Sequence, residues 1–176
     1  GMSDRELLAH LRGVRRMTEA ANVPLIVNDR PDLAALCGAD GVHVGTDDLP
    51  VEAVRDMLGD RVLIGASTHR PEDAAAALAA GSDHLGVGPC FPSGTKSFES
   101  FPGTPYLNWA KQNVAVPWFA IGGIDERNVQ SAAEAGASRI AVCGAVCGAD
   151  DPGQAVAAFR EALAAASSSP ADGSAG

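Results

Sequence analysis

The chain has 176 residues, of which 46% are hydrophobic and 5% aromatic, and its net charge at pH 7 is −9. This length predicts a single domain, and the high hydrophobic and low aromatic content predicts a core of Ala, Val, Leu and Ile. The acidic balance, without a basic stripe or an aromatic platform, argues against nucleic-acid binding. No apolar run reaches membrane-spanning length and no signal peptide is visible, so we expect a cytoplasmic protein without a membrane partner.

Short β-rich segments alternate with alanine-rich helical segments along most of the chain. Strands are predicted over 25–27, 41–44, 63–65, 84–87, 118–121 and 139–142. Helices are predicted over 4–21, 31–37, 51–58, 71–80, 105–112, 126–135 and 152–166. Strand and helix alternation at this spacing is typical of parallel βαβ units and predicts the α/β class.

A weak repeat precedes three of the predicted strands. It reads Gly-Ala-Asp at 38–40, Gly-Ser-Asp at 81–83 and Gly-Ala-Ser at 136–138. Each copy closes a helix with a glycine, which is the preferred residue just past a helix C-terminus. The repeat therefore supports a chain built from successive βα units.

The ends of the chain set the expected domain boundaries. Six strands are two fewer than a closed eight-stranded barrel requires, and the chain opens on a helix. The sequence leaves two alternatives, an open sheet or a fragment of a larger barrel. Residues 167–176 contain Ser, Pro, Ala, Asp and Gly without an apolar period, so we expect a disordered tail after a domain spanning 1–166.

Two aspartates follow the first two predicted strands. In a parallel α/β protein the loops after the carboxyl ends of the strands form the active site. Asp29 and Asp48 could therefore share a hard cation such as Mg²⁺, with water and substrate phosphates completing its shell. The alternative is that each aspartate caps the helix that follows it.

The loop after the fourth strand carries the residue types that a phosphate needs. The hydroxyls of Ser93 and Thr95 can donate hydrogen bonds, Gly94 permits a close approach to the backbone, and Lys96 brings a positive charge. We predict a phosphate-binding loop here, the alternative being a structural turn.

Glycines follow the last two predicted strands. Gly122 and Gly123 come after the fifth strand, and Cys143 and Gly144 come after the sixth. Backbone N–H groups at this pair of loops commonly hold a phosphate in barrel enzymes. The alternative is that these glycines serve only tight turns.

Three further polar residues near strand ends have two interpretations each. Ser67 is expected to contact a ligand or, together with Thr68, to cap a helix, and Asp125 is also expected to be an N-cap. His43 lies within an apolar strand and is predicted to be a core histidine with its hydrogen bonds satisfied, a functional role being the less favoured alternative. His69 is either a general base or an ordinary surface histidine.

The four cysteines do not form a Cys-x-x-Cys pair. A chain of this size with this core does not need disulfides, so we predict buried, reduced thiols. A metal site made by the two cysteines that lie four residues apart is the less favoured alternative. The cysteines are Cys37, Cys90, Cys143 and Cys147.

Five motifs occur together in an order that resembles the thiamine-phosphate synthase family. The resemblance runs from about residue 3 to residue 166, and five ordered motifs make it specific. The motifs are Val27-Asn28-Asp29-Arg30, Gly41-Val42-His43-Val44-Gly45 with Asp48-Leu49-Pro50, Gly65-Ala66-Ser67-Thr68-His69, Gly88-Pro89-Cys90-Phe91-Pro92-Ser93-Gly94-Thr95-Lys96 and Ala120-Ile121-Gly122-Gly123-Ile124.

The resemblance implies a TIM (β/α)₈ barrel, of which this chain would hold six of eight strands. It implies an Mg²⁺-assisted transferase in thiamine biosynthesis that acts on small phosphorylated substrates. Hydroxymethylpyrimidine diphosphate would lose pyrophosphate, and the nitrogen of a thiazole phosphate would attack the pyrimidine methylene. A homodimer is a further expectation from the family.

The resemblance also assigns roles to individual residues. Lys96 and Ser67 would be catalytic, and Asp29 and Asp48 would hold Mg²⁺. The substrates would be bound by nine residues. These residues are Asn28, Ser67, Ser93, Gly94, Thr95, Lys96, Gly123, Cys143 and Gly144.

Some positions depart from the family pattern. In the family, a Gln-x-Arg-x-Lys motif that binds the diphosphate would precede residue 1, together with two strands and one helix. An open barrel exposes strand edges and apolar surface, so we expect this chain alone to be weakly stable and poorly active. Thr46 stands where the family usually has glutamine, and Gly144 where it usually has serine. The alternatives are a thiazole tautomerase on the same fold, or a non-catalytic phosphate-binding remnant.

Overall fold

A computed structural model describes residues 1–92 and 102–168 of the chain. The described residues form two compact units. Unit 1 comprises Gly1–Thr68 and Glu72–Leu85, and unit 2 comprises His69–Pro71 and the described part of Gly86–Gly176.

Helices and strands alternate throughout unit 1, as the α/β prediction requires. Ser3 caps the first helix by accepting a hydrogen bond from the Glu6 N–H, and the Glu6 carboxylate accepts one from the Ser3 N–H in return. The elements are α1 (Asp4–Ala20), β1 (Ile26–Asn28), α2 (Pro31–Cys37), β2 (Gly41–Val44), α3 (Val51–Leu58), β3 (Leu63–Thr68), α4 (Pro71–Ala79) and β4 (His84–Val87). The first residue of α4 and the last two residues of β4 belong to unit 2.

Unit 2 continues the alternation after β4. It contains one helix that the sequence did not predict, a single turn directly after the last strand. The last helix runs two residues beyond the predicted end at 166, and the rest of the predicted tail lies outside the described residues. The elements are α5 (Gly103–Asn113), β5 (Trp118–Ile121), α6 (Val129–Glu134), β6 (Ile140–Ala141), α7 (Gly144–Cys147) and α8 (Pro152–Ser168).

The first three strands are parallel and pair in chain order. Val42 of β2 lies opposite Val27 of β1 and Ile64 of β3. All three side chains are buried, together with Val54 from α3. These β-branched side chains pack well on a pleated surface, and their burial against the helices provides the main stabilisation of unit 1.

The repeated tripeptide has a physical role that becomes visible in unit 1. Asp40 accepts a hydrogen bond from the Leu25 N–H through its carboxylate and donates its own N–H to the Leu25 carbonyl. Asp83 makes the same reciprocal pair with Ile64, two βα units later. Each carboxylate also binds an arginine from a preceding helix, Arg15 for Asp40 and Arg55 for Asp83, at 2.7 Å.

Replacing Asp83 by alanine is expected to lower the free energy of unfolding by roughly 1–3 kcal/mol, because it leaves the Ile64 N–H and the half-buried Arg55 without this partner. Chemical denaturation measures the effect. The exposed Asp56 of α3 offers a matched Asp→Ala control, expected to change stability by less than about 0.5 kcal/mol. Equal effects at the two positions would show that the repeat carries no structural role.

Unit 2 has a core of its own. Leu107 and Ala110 of α5 and Ala120 of β5 are fully buried, and Phe159 of α8 is nearly so. The strands β5 and β6 are parallel, with Ala120 opposite Ile140. Among the helices that the structure describes, none has the length and apolar character needed to cross a membrane.

Two predictions about side chains are corrected in part. Ser67 and Thr68 do not cap a helix: both belong to β3, and α4 begins only at Pro71. The cysteines are free as predicted, but Cys143 and Cys147 are exposed. Cys143 is the N-cap residue of the short helix α7, and Cys147 is its last residue.

Candidate functional site

The carboxyl end of β1 places Asn28 and Asp29 at the surface of unit 1. Asn28 lies opposite His43 in the strand register, and the Asp29 N–H donates a 2.8 Å hydrogen bond to the His43 carbonyl. Asp29 has a left-handed backbone with φ of 62°. A non-glycine residue pays about 1 kcal/mol for this conformation, and such strain clusters at functional sites.

The second aspartate organises the loop after β2. The Asp48 carboxylate accepts a 2.8 Å hydrogen bond from the Gly45 N–H, and its N–H donates to the Gly45 carbonyl. The helix α3 starts at Val51 with Pro50 in the N-cap position, so Asp48 does not cap it. The capping alternative is therefore wrong for Asp48.

The two aspartates after β1 and β2 could supply only part of the coordination shell of a hard cation. Asp29 directly follows β1, and Asp48 lies four residues after the end of the neighbouring parallel strand β2. Within residues 1–92 and 102–168, no three His, Cys, Asp or Glu side chains cluster as metal ligands. Mg²⁺ commonly binds one or two carboxylates and keeps water and substrate phosphates as its other ligands.

Arg30 has a role that the sequence did not indicate. Its guanidinium forms a bidentate pair with the Asp32 carboxylate at 2.8 and 2.6 Å and bonds to Asp4 of α1 at 2.8 Å. The hydrogen bond from Arg30 is the main reason why the pKa of Asp32 is lowered. Arg30 thus fastens the Asn28–Asp29 turn to the start of two helices.

Ser67 belongs to a polar cluster inside unit 1. Its hydroxyl lies 3.0 Å from Nε2 of His43, and Nδ1 of His43 lies 3.4 Å from Nε2 of His84. Burial, and next the neighbouring His84, lower the pKa of His43 to about 4. His43 therefore has its hydrogen bonds satisfied and is neutral at physiological pH, as the core-histidine interpretation predicted.

Two glycines at the end of β5 allow two backbone segments of unit 2 to pass close together. Gly122 and Gly123 have positive φ angles of 96° and 65°. A Cβ on Gly123 would lie 2.4 Å from the Phe91 carbonyl oxygen. The Phe91 N–H donates a 3.0 Å hydrogen bond to the Gly122 carbonyl. These glycines are thus required for the turn and for the approach of the loop after β4.

Asn128 fixes the loop after β5, and sequence reasoning missed it. Its side-chain amide donates to the Gly123 carbonyl at 2.8 Å, while its side-chain oxygen accepts from the Asp125 N–H at 2.9 Å. The predicted cap Asp125 instead accepts from the Arg127 N–H in the turn before α6. The spacing of Asp125 and Asn128 was the available signal for this closed turn.

His69 has its proton position determined by its partner. Its Nδ1 lies 2.6 Å from the carbonyl oxygen of Gly88, which can only accept a hydrogen bond. Nδ1 therefore carries the proton of this hydrogen bond, and in the singly protonated ring Nε2 is the acceptor nitrogen. This tautomer is compatible with a general base and does not decide between the two interpretations of His69.

The other candidate residues of unit 2 are only partly described. Cys143 and Gly144 lie exposed at the junction of β6 and α7. Four predicted residues, among them the catalytic candidate Lys96, lie outside the described residues. They are Ser93, Gly94, Thr95 and Lys96.

Comparison with known proteins identifies relatives over most of the chain. The sequence model of the family described as thiamine monophosphate synthase matches residues 1–146. The thiamine-phosphate synthase of Gloeobacter violaceus is 47% identical over 150 residues, which are 85% of this chain and 44% of that protein. That of Lawsonia intracellularis is 40% identical over 162 residues, or 92% of this chain and 75% of that protein.

A solved structure agrees with these sequence relatives. The thiamine phosphate pyrophosphorylase of Pyrococcus furiosus superposes with a TM-score of 0.86 at 31% identity, covering 94% of this chain and 80% of that one. The chain spans less than half of the Gloeobacter relative and three quarters of the Lawsonia relative. The similarity to the Pyrococcus structure covers both described units.

Proposed function

Because this chain belongs to the thiamine monophosphate synthase family, we propose that the protein joins hydroxymethylpyrimidine diphosphate to thiazole phosphate, releasing pyrophosphate. The parallel βα units and the similarity to the Pyrococcus structure support a TIM-type barrel for the complete fold. The observation that carries the proposal is the strained turn at Asp29, held by Arg30 directly after a strand that pairs with the Asp48 strand.

Unit 1 supplies the groups for the pyrimidine diphosphate in this proposal. Asn28 binds the diphosphate, and the carboxylates of Asp29 and Asp48 hold Mg²⁺. Bound at these carboxylates, the cation would supply positive charge close to the pyrophosphate leaving group. Ser67 contacts the pyrimidine with a hydroxyl that His43 orients from 3.0 Å. Holding these groups in place before reaction contributes most when charge develops at a fixed position.

Unit 2 supplies the groups for the thiazole phosphate. The backbone N–H groups around Gly123 and Gly144 and the loop from Ser93 to Thr95 bind its phosphate, and Cys143 lies beside Gly144. Lys96 also contacts the leaving diphosphate. The tight turn at Gly122 and Gly123 supports this assignment, because backbone donors without a Cβ permit close approach of a phosphate.

The reaction needs little covalent chemistry from the protein. The bond between the pyrimidine methylene and the diphosphate oxygen breaks, and its electron pair leaves with pyrophosphate. The thiazole nitrogen then donates its lone pair to the methylene carbon and becomes the thiazolium nitrogen. The residues of this chain bind and orient both substrates, which accounts for catalysis by proximity.

The second candidate function is a thiazole tautomerase, which the acceptor nitrogen of His69 would suit. An assay of the protein with each substrate alone and with both separates the two functions. We expect no isomerised product when thiazole phosphate is supplied alone without Mg²⁺, and turnover only when pyrimidine diphosphate is added. Isomerisation of thiazole phosphate alone would establish the tautomerase instead.

The same proposal covers the protein's setting. Its partners are the two phosphorylated small molecules and a second copy of the chain in a homodimer, and its compartment is the cytoplasm. Four free cysteines agree with a reducing compartment. Analytical ultracentrifugation of the complete protein tests the dimer, and a single monomeric species would reject it.

A further inference from the structure

Three side chains of unit 1 form a continuous hydrogen-bonded chain. It runs from His84 on β4 through His43 on β2 to Ser67 on β3. The two histidine rings are also in tilted contact, with centroids 5.5 Å apart. The contact joins residues that are 41 positions apart in sequence, so it is a property of the folded unit.

Gly65 provides the space in which the two rings meet. A Cβ at this position would lie 2.0 Å from Nε2 of His84 and 2.6 Å from Nδ1 of His43. Any larger residue would therefore separate the two nitrogens. The strand thus places the smallest residue where the histidine pair needs room.

Burial favours the neutral form of both rings. Burial lowers the pKa of His43 and also that of His84. A neutral imidazole has one N–H donor and one acceptor nitrogen. A ring that accepts a hydrogen bond at one nitrogen therefore donates from the other, and a ring that donates at one nitrogen accepts at the other. If His84 donates from Nε2, His43 accepts at Nδ1 and donates from Nε2 to Ser67. If His84 accepts, both bonds reverse and Ser67 donates to His43.

We propose that His84 is a positioning residue that sets, through the tautomer of His43, whether the Ser67 hydroxyl offers a donor or an acceptor to its ligand. The consequence is that both histidines carry the same tautomer, either Nε2–H in both rings or Nδ1–H in both. The identity of that ligand as the pyrimidine substrate rests on the proposed function. The prediction that both histidines carry the same tautomer does not depend on the proposed function.

The test is nitrogen-15 NMR of the imidazole rings, in which two-bond correlations distinguish the tautomers. In the complete protein near pH 7.5 we expect matching tautomers for His43 and His84. His84→Phe keeps the ring volume but removes the nitrogen, so the His43 resonances are expected to move towards a mixture of tautomers. His84→Gln places an amide near the position of Nε2 and is expected to restore one tautomer.

The same variants give a kinetic readout. For His84→Phe we expect kcat/KM for the pyrimidine diphosphate to fall about tenfold, and KM for the thiazole phosphate to stay within twofold, because only the Ser67 contact changes. His84→Gln is expected to recover most of the loss. His10 on the exposed face of α1 is the control, and His10→Gln should move neither readout.

Outcomes for the relay and for the proposed function are separable. Opposite tautomers in the unaltered protein, or an unchanged His43 tautomer in His84→Phe, would overturn the relay whatever the protein catalyses. Matching tautomers that respond to His84→Phe and to Ser67→Ala, in a protein without synthase turnover, would support the relay and reject the proposed function. Circular dichroism confirms that each variant is folded.

Discussion

Replacing Asp29 by asparagine is expected to lower Mg²⁺-dependent turnover by about a thousandfold with little change in stability. The carboxylate is one of only two protein ligands proposed for the cation, whose electrostatic stabilisation is worth several kcal/mol, and each 1.36 kcal/mol is a factor of ten in rate. Asparagine tolerates the left-handed backbone that Asp29 adopts, so the variant tests the charge and not the turn. Steady-state release of pyrophosphate measures the effect.

The control for this experiment is Asp56→Asn, which removes the same charge from the exposed face of α3. It is expected to retain full turnover. A titration with Mg²⁺ separates weak binding from lost chemistry, because excess metal would restore part of the rate if Asp29 acts only in affinity. Turnover within tenfold of the unaltered protein at low Mg²⁺ would reject Asp29 as a ligand.

The second large effect is expected at Gly123. Alanine there meets the backbone of Phe91 and Pro92, which cannot move aside as a flexible side chain would. Overpacking costs roughly 1–3 kcal/mol and the positive φ about 1 kcal/mol more. We therefore expect a lower melting temperature, and an increase of at least tenfold in KM for thiazole phosphate, because the turn that presents the backbone donors must shift.

Gly13 provides the matched control for this substitution. It lies within α1, where an added Cβ would meet nothing closer than a flexible arginine at 4.0 Å. Gly13→Ala is expected to stabilise the protein by about 0.5–1 kcal/mol, because alanine is the better helix former. If Gly123→Ala left both stability and KM unchanged, the close approach of the loop after β4 would have no functional role.

Strands flanked by clear turn signals could be predicted from the sequence. The predicted boundaries 41–44, 84–87 and 118–121 agree with β2, β4 and β5. In each case a short apolar run follows a helix and a polar or proline-containing turn, so burial and local chemistry favour the same assignment. The α/β class was predictable for the same reason, whereas the family was predicted from the resemblance of five ordered motifs.

The end of β3 could not be predicted, because its last residues are hydroxylic. Serine and threonine before a predicted helix indicate an N-cap, yet Thr68 is fully buried and belongs to the strand. Tertiary packing outweighs the local preference here. The single turn α7 was missed because four residues are too few to show a helical period.

For the candidate site, the sequence predicted individual residues but not the contacts between them. The sequence identified Asp29, Asp48 and Ser67 by their positions after strands. It did not identify the partners that hold them, Arg30 bound to two aspartates and His84 beside His43. Such contacts join residues up to 41 positions apart and depend on strand register, which no local pattern encodes.

The most direct test of the proposed function is the ratio of pyrophosphate released to thiamine phosphate formed. Both products are measured in the same quenched samples of the complete protein, with both substrates and Mg²⁺ present. The proposal predicts that the two products form in a one-to-one ratio. It also predicts that no pyrophosphate is released unless thiazole phosphate reacts with the pyrimidine. Pyrophosphate release without thiamine phosphate would indicate a hydrolase, and no release of either product would contradict the synthase assignment.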